Sequence, residues 1–161
     1  MASEPPVEGG VVRVSGAATP VAGAAGRPGN LGDVTLPAGP GLPSAARAAV
    51  VRWLDGRVPP GVVVDAQLLI SELATNSCVH SGQAAGAPVR VRAGTGAASV
   101  WFEVGDAGLD GAVVRRTPGS NGGGGYGLQL VDALASAWGV THVDGTEVWF
   151  SLRVGRPDAR L

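Results

Sequence analysis

Apolar residues recur along this chain with two different periods, and the switches between them mark out the elements. Val100, Phe102 and Val104 alternate with Trp101 and Glu103, which predicts a strand over 99–105 with one apolar and one mixed face. A partner strand over 89–93 precedes it across Gly94-Thr95-Gly96, a turn suited to a hairpin. A short first strand is predicted at Val34-Thr35-Leu36-Pro37, stopped by Pro37 and Gly39-Pro40-Gly41. The helical period appears from Pro43 to Asp55, where Ala46, Ala49, Val50, Trp53 and Leu54 share one side, with Ser44 as a cap and Gly56 as a stop. After Pro59-Pro60-Gly61 a second helix runs from 62 to 80, its apolar side drawn from Val64, Leu68, Leu69 and Leu73. A third spans 126–135, with Leu128, Val131, Leu134 and Ala135 inward and Trp138-Gly139 closing it. Strands over 140–143 and 147–154, joined by Asp144-Gly145-Thr146, complete the pattern.

The order of these elements predicts an α+β fold: a two-layer sandwich with a mixed, mostly antiparallel sheet and helices on one face. Trp101 and Trp149 fall out of phase with their apolar neighbours, on the open face. They read there as a surface for a partner or a second copy of the chain, or equally as a cross-strand pair shielded by arginine stems. Arg90 and Arg92 are placed opposite Glu103, a contact worth a fraction of a kcal/mol (~0.2–1) if exposed. Residues 1–32 lack lasting periodicity and read as a disordered tail, within which Val11, Val12 and Val14 suit a brief edge strand; residues 155–161 read as a frayed end. Residues 109–125 have the composition of a loop, long enough to suggest a lid.

Composition narrows the chemistry. At 161 residues the chain fits one domain, and a net charge of −1 gives no footprint for nucleic acid or an anionic membrane. Every basic residue is arginine. The absence of lysine removes the phosphate loop that ends in Lys-Ser/Thr, the protein kinases that rely on a strand lysine, and Schiff-base chemistry. The single cysteine, Cys78, excludes an internal disulfide and a cysteine-rich zinc site, and reads as a small buried helix residue. With no apolar run of membrane-spanning length and no leader pattern, the expectation is a soluble cytoplasmic protein. The 27 glycines weaken any argument from one glycine alone.

Three polar or glycine-rich sites stand out. On the second helix Glu72, Asn76 and His80 recur every four residues and share one stripe. A carboxylate able to take a proton lies one turn from an amide able to hold a hard cation, although the stripe alone reads equally well as a solvated helix face. At the end of the apolar strand, Gly105-Asp106-Ala107-Gly108 offers a carboxylate to an exocyclic amine and a glycine that admits a flat ring; in isolation it is an Asp-Gly turn. The glycine run up to Gly125-Tyr126-Gly127-Leu128 enters the third helix, where free N–H groups attract phosphate; in isolation it is a linker.

In order and spacing, Glu72-Leu73-x-x-Asn76-x-x-x-His80, Asp106-x-Gly108, Gly125-x-Gly127-Leu128-x-Leu130-Val131 and Gly145-Thr146-x-Val148 resemble the N box and glycine boxes of the GHKL, or Bergerat-fold, ATPase superfamily. The resemblance covers about Val34 to Leu152 and is strongest to small bacterial domains related to anti-sigma-factor serine/threonine kinases. Trp138-Gly139 and Val148-Trp149-Phe150 add to that likeness. It implies Glu72 as the general base and Asn76 as the residue holding a magnesium ion at the ATP phosphates. It further implies Asp106 and Gly108 at the adenine, Gly125, Gly127 and Leu128 at the phosphates, and Thr146 hydrogen-bonded toward the adenine. His80 fits the pattern as a cap, a packing residue or a phosphate contact. One departure is Asp110, which stands where the first glycine box has its second glycine; Arg115 and Arg116 could offset its charge near phosphates.

The implied activity is transfer of the ATP γ-phosphoryl group to a serine of a partner protein, an anti-anti-sigma-like phosphoacceptor. The alternative is an ATP-dependent binding module that sequesters a partner such as a sigma factor. A sensor histidine kinase would need a helical hairpin carrying a phosphoacceptor histidine, and a gyrase-like ATPase a following domain that supplies a lysine; neither is expected here.

Overall fold

The computed structural model describes residues 12–13, 29–80, 84–106, 127–142 and 146–155. In chain order these form β1 (Val12–Arg13), β2 (Asn30–Pro37), α1 (Leu42–Leu54), α2 (Pro60–His80), β3 (Pro88–Thr95), β4 (Ser99–Asp106), α3 (Gly127–Leu134), β5 (Ala137–His142) and β6 (Thr146–Arg153). The strands make one sheet in the order β1-β5-β6-β4-β3-β2. Every described pairing is antiparallel, so the parallel component allowed by a mixed sheet does not occur among these residues. Helices packed against one face give the α+β two-layer sandwich that the pattern predicts.

The core lies between the layers. Val89, Val91 and Ala93 of β3, Val100, Phe102 and Val104 of β4, and Phe150 and Leu152 of β6 alternate inward against Leu42, Ala46, Val50 and Leu54 of α1 and Leu69, Ile70 and Leu73 of α2. Phe102 and Phe150, directly opposite in register, stack with centroids 5.0 Å apart.

Several local expectations are corrected. Gly41, not Ser44, precedes the first turn of α1, and it makes no side-chain cap bond; Pro43 supplies a pre-set φ in that turn instead. Asp55 and Gly56 end the helix, Gly56 taking the left-handed φ of 66°. α2 begins at Pro60, with the Pro59 carbonyl accepting from Val62 N–H at 3.0 Å. Its buried stripe is Ala66, Leu69, Ile70, Leu73, Ala74 and Ser77, whereas Val64 is 63% exposed and Leu68 39%. Leu134 of α3 is likewise exposed. Trp138 and Gly139 do not close α3: they lie inside β5, where Trp138 is buried and its Nε1–H donates to Asp132 Oδ1 at 3.1 Å. β2 begins at Asn30, inside the range read as a tail, and Val12 and Arg13 pair with Val140 and Gly139 as an edge strand.

On the face away from the helices, Trp101 and Trp149 lie down on the sheet. Trp101 covers Gly94 directly opposite it on β3, and Trp149 covers Gly139 opposite it on β5. A Cβ on Gly139 would sit 2.9 Å from the Trp149 ring, so the missing side chain is what lets the indole settle there. Between the two rings Arg92 pairs with Glu103, which is only 2% exposed, and also reaches Glu147 Oε1 at 2.7 Å. The exposed contact expected for Glu103 is therefore a buried one. Arg90 turns the other way and donates to Asp33 of β2 through Nε at 2.9 Å.

That Arg90 bond holds the Asp33 carboxyl below the usual carboxylate range. A depressed folded-state pKa contributes stability that is complete above about pH 4 and is lost as pH falls through the lowered value. Both groups are partly exposed, so the gain is at most about 1 kcal/mol. Asp33→Asn should lower stability to urea by about that much at pH 7, with the difference from the unaltered chain narrowing below about pH 4.

Candidate functional site

One end of the sheet gathers the segments singled out in the sequence. Asp106, the last residue of β4, is in register with Thr146, the first residue of β6, and Thr146 in turn with His142, the last residue of β5. On the other side Asp106 is in register with Val89 of β3. Residues forty apart in the chain thus stand side by side because β6, after pairing with β5, inserts between β5 and β4.

The C-terminal half of α2 reaches that same end. Cys78 is tied to Gly39: the Gly39 N–H donates to Cys78 Sγ at 3.4 Å and the thiol donates to Gly39 O at 3.3 Å. Ala38, next in the chain, exchanges bonds with the loop before β3, Ala38 N–H to Ala87 O and Gly86 N–H to Ala38 O, each at 2.8 Å. Ala87 leads into Pro88 and Val89, and Val89 lies beside Asp106. Cys78 is thus a half-buried structural thiol that pins the end of α2 to the sheet.

At 100° per residue, Glu72 and Asn76 fall across the buried stripe from Ser71 and Cys78. Ser71 and Cys78 meet α1 and the turn before it, through the Arg47 Nη1–Ser71 Oγ bond of 2.9 Å and the Gly39 contacts. The Glu72–Asn76 flank is therefore the one away from α1, on a helix that also packs against α3, and both residues are half-buried. α3 supplies the remaining wall. It packs against α2 and β5, and its Asp132 accepts from Trp138 Nε1–H at 3.1 Å.

The structure thus sets Asp106 beside Thr146 at the sheet end that the half of α2 carrying Glu72 and Asn76 also reaches, with Gly127 opening α3. For His80, Asp106 and Leu128 the description covers the backbone: His80 ends α2 and Leu128 is the second residue of α3. Gly108, Gly125, Asp110, Arg115, Arg116 and the lid expected over 109–125 lie outside the described residues. Reasoning from the sequence missed His142, whose backbone closes the Asp106–Thr146 row. An alternating run from Val140 toward Val148 was its only signal.

The candidate cleft is the space at this end of the sheet, with the end of β4 as its floor and the Glu72–Asn76 flank of α2 as one wall. Such a site suits a flat base at one end and an anionic tail at the other. Among the described residues no group of three or more His, Cys, Asp or Glu side chains gathers that could hold a metal ion. A cation there would keep much of its coordination on phosphate oxygens and water, as magnesium does, with Asn76 contributing a hard neutral oxygen.

Fold and site together define a nucleotide-binding domain. Residues 36–152, well over half of the chain, match the family described as "Histidine kinase-like ATPase domain". The chain belongs to that family and carries an ATP-binding, ATPase-like domain of the GHKL superfamily. Comparison with curated proteins gives no match. No helix among the described residues is long and apolar enough to cross a membrane.

Proposed function

We propose that the chain binds magnesium–ATP in this cleft and transfers the γ-phosphoryl group to a serine of a partner protein, in the manner of anti-sigma-factor serine/threonine kinases. The observation that carries the reading is the register of Asp106 against Thr146 at the sheet end reached by the Glu72–Asn76 flank of α2. In this reading Asp106 accepts the adenine amino group, with Gly108 beside the ring and Thr146 hydrogen-bonding toward it. Asn76 holds magnesium, and Gly125, Gly127 and Leu128 present backbone N–H groups to the phosphates. Glu72 takes the proton of the attacking serine hydroxyl as it bonds to the γ-phosphorus and the β–γ bridging oxygen departs with ADP. Because phosphoryl transfer depends chiefly on positioning and charge neutralisation, the absence of lysine is no obstacle. The partner is an anti-anti-sigma-like phosphoacceptor in the cytoplasm, docked beside the cleft; a second copy of the chain on the Trp101–Trp149 face is compatible with the same reaction.

The test uses γ-labelled ATP with candidate phosphoacceptor proteins, alongside gel filtration of each mixture with and without ATP. Label on a partner serine supports the reading. ATP-dependent co-elution without label would replace it with a binding module that sequesters its partner. Asp106→Ala should weaken ATP binding about 10- to 100-fold, the cost of a lost charge-assisted hydrogen bond, as read by calorimetric titration.

A further inference from the structure

The face of the sheet turned away from the cleft carries an ion cluster placed directly behind its floor. Arg92 on β3 contacts Glu103 on β4 and Glu147 on β6, so one guanidinium ties together three adjacent strands. Glu103 is the direct cross-strand neighbour of Arg92, is buried, and already balances it. The Glu147 contact is of another kind. Glu147 is in register with Gly105, one row further toward the cleft, so Arg92 reaches it diagonally, across a position where β4 has no side chain to intervene.

That diagonal lands on the second residue of β6, next to Thr146, and beside the penultimate residue of β4, next to Asp106. Strand ends are where a ladder frays first. A two-residue slip is the smallest that keeps the inward face of β6 inward: one way it carries Glu147 about 7 Å further along the strand from Arg92, and the other way it sets Glu147 directly opposite Glu103, carboxylate against carboxylate. A one-residue slip would turn Phe150 and Leu152 out of the core.

We propose that Arg92 and Glu147, seated on buried Glu103, are positioning residues for base recognition: they hold the ends of β4 and β6 in the register that sets Asp106 against Thr146, and so set the preference for adenine. This rests on the reading that ATP binds with its base at that pair. None of the three touches nucleotide; they act through the backbone.

The experiment compares the affinities of ATP and inosine triphosphate, which lacks the exocyclic amine, for the unaltered chain, Glu147→Gln and Asp33→Asn. Glu147→Gln should weaken ATP about fivefold while changing inosine triphosphate less than about twofold, the size expected for loosening one charge-assisted hydrogen bond. Asp33→Asn breaks the ion pair that joins β2 to β3 on the same face, with β3 and β4 lying between Asp33 and β6, and should leave the preference unchanged. If Glu147→Gln does not fold, Glu147→Asp, one methylene shorter, gives the same readout. A Glu147 variant that keeps the full adenine preference, or one that weakens both nucleotides equally, overturns the positioning role and leaves the ATP site standing. An unaltered chain that binds ATP without preferring it to inosine triphosphate overturns both.

Discussion

Replacing Glu72 with alanine should lower phosphoryl transfer about 10²- to 10⁴-fold while leaving ATP affinity within about twofold. Glu72 sits half-buried on the flank of α2 away from α1, one turn before Asn76. In the proposed reaction its carboxylate accepts the serine proton as the γ-phosphorus is attacked, an interaction made in the transition state and not with bound nucleotide. Alanine is the best helix former and removes nothing from the buried stripe, so the fold should survive. A single-turnover assay with labelled ATP separates the two effects. Loss of ATP binding in parallel with transfer would make Glu72 a binding residue, and undiminished transfer would assign the base elsewhere.

The largest effect on stability should come from Gly94→Ala. A Cβ at this position would lie 2.2 Å from the Trp101 ring and 2.6 Å from the Gly29 carbonyl oxygen. The ring could lift, but the backbone oxygen is held by the Thr95 N–H at 2.8 Å. Overpacking against fixed atoms costs about 3 kcal/mol, which for a domain of this size lowers Tm by about 6–12 °C. Calorimetric melting checks it. Adding Trp101→Ala should not restore stability, because the clash with the Gly29 carbonyl remains and the cover over the sheet is lost.

Much of this was legible from the chain because short-range patterns decide it. The alternation of Val100, Phe102 and Val104 named the buried face of β4, and the spacing of Glu72 and Asn76 placed them on one flank of α2. The misreadings share a physical cause: they depend on which distant residue stands opposite. Glu103 looked like a solvated partner of arginine, yet with β6 beside β4 and Trp149 directly opposite, it is buried. Trp138-Gly139 looked like a helix terminator, but Gly139 is the seat of the Trp149 ring inside β5. Val64 and Leu68 read as inward because they are apolar, yet they are exposed, and Ala66 and Ala74 join the buried stripe, where small residues let α2 lie close to its neighbours.

For the candidate site, the expected members and their order are read from motif spacing, and the sheet register adds the juxtaposition of Asp106 with Thr146. The hydrogen-bonded path from Cys78 through Gly39, Ala38 and Ala87 to Val89 adds the approach of α2 to that pair. Neither can be read from local periodicity, since each joins segments far apart in the chain.

Adenine nucleotide should bind at this sheet end, with its base at Asp106–Thr146 and its phosphates at Asn76 and the start of α3. Isothermal titration of ATP into the full chain, with and without magnesium and repeated with Asn76→Ala, tests it most directly. The expected result is saturable one-to-one binding that weakens about tenfold or more when magnesium is removed, and a similar loss in Asn76→Ala with little further effect of magnesium. No ATP binding, or binding indifferent both to magnesium and to Asn76, would contradict it.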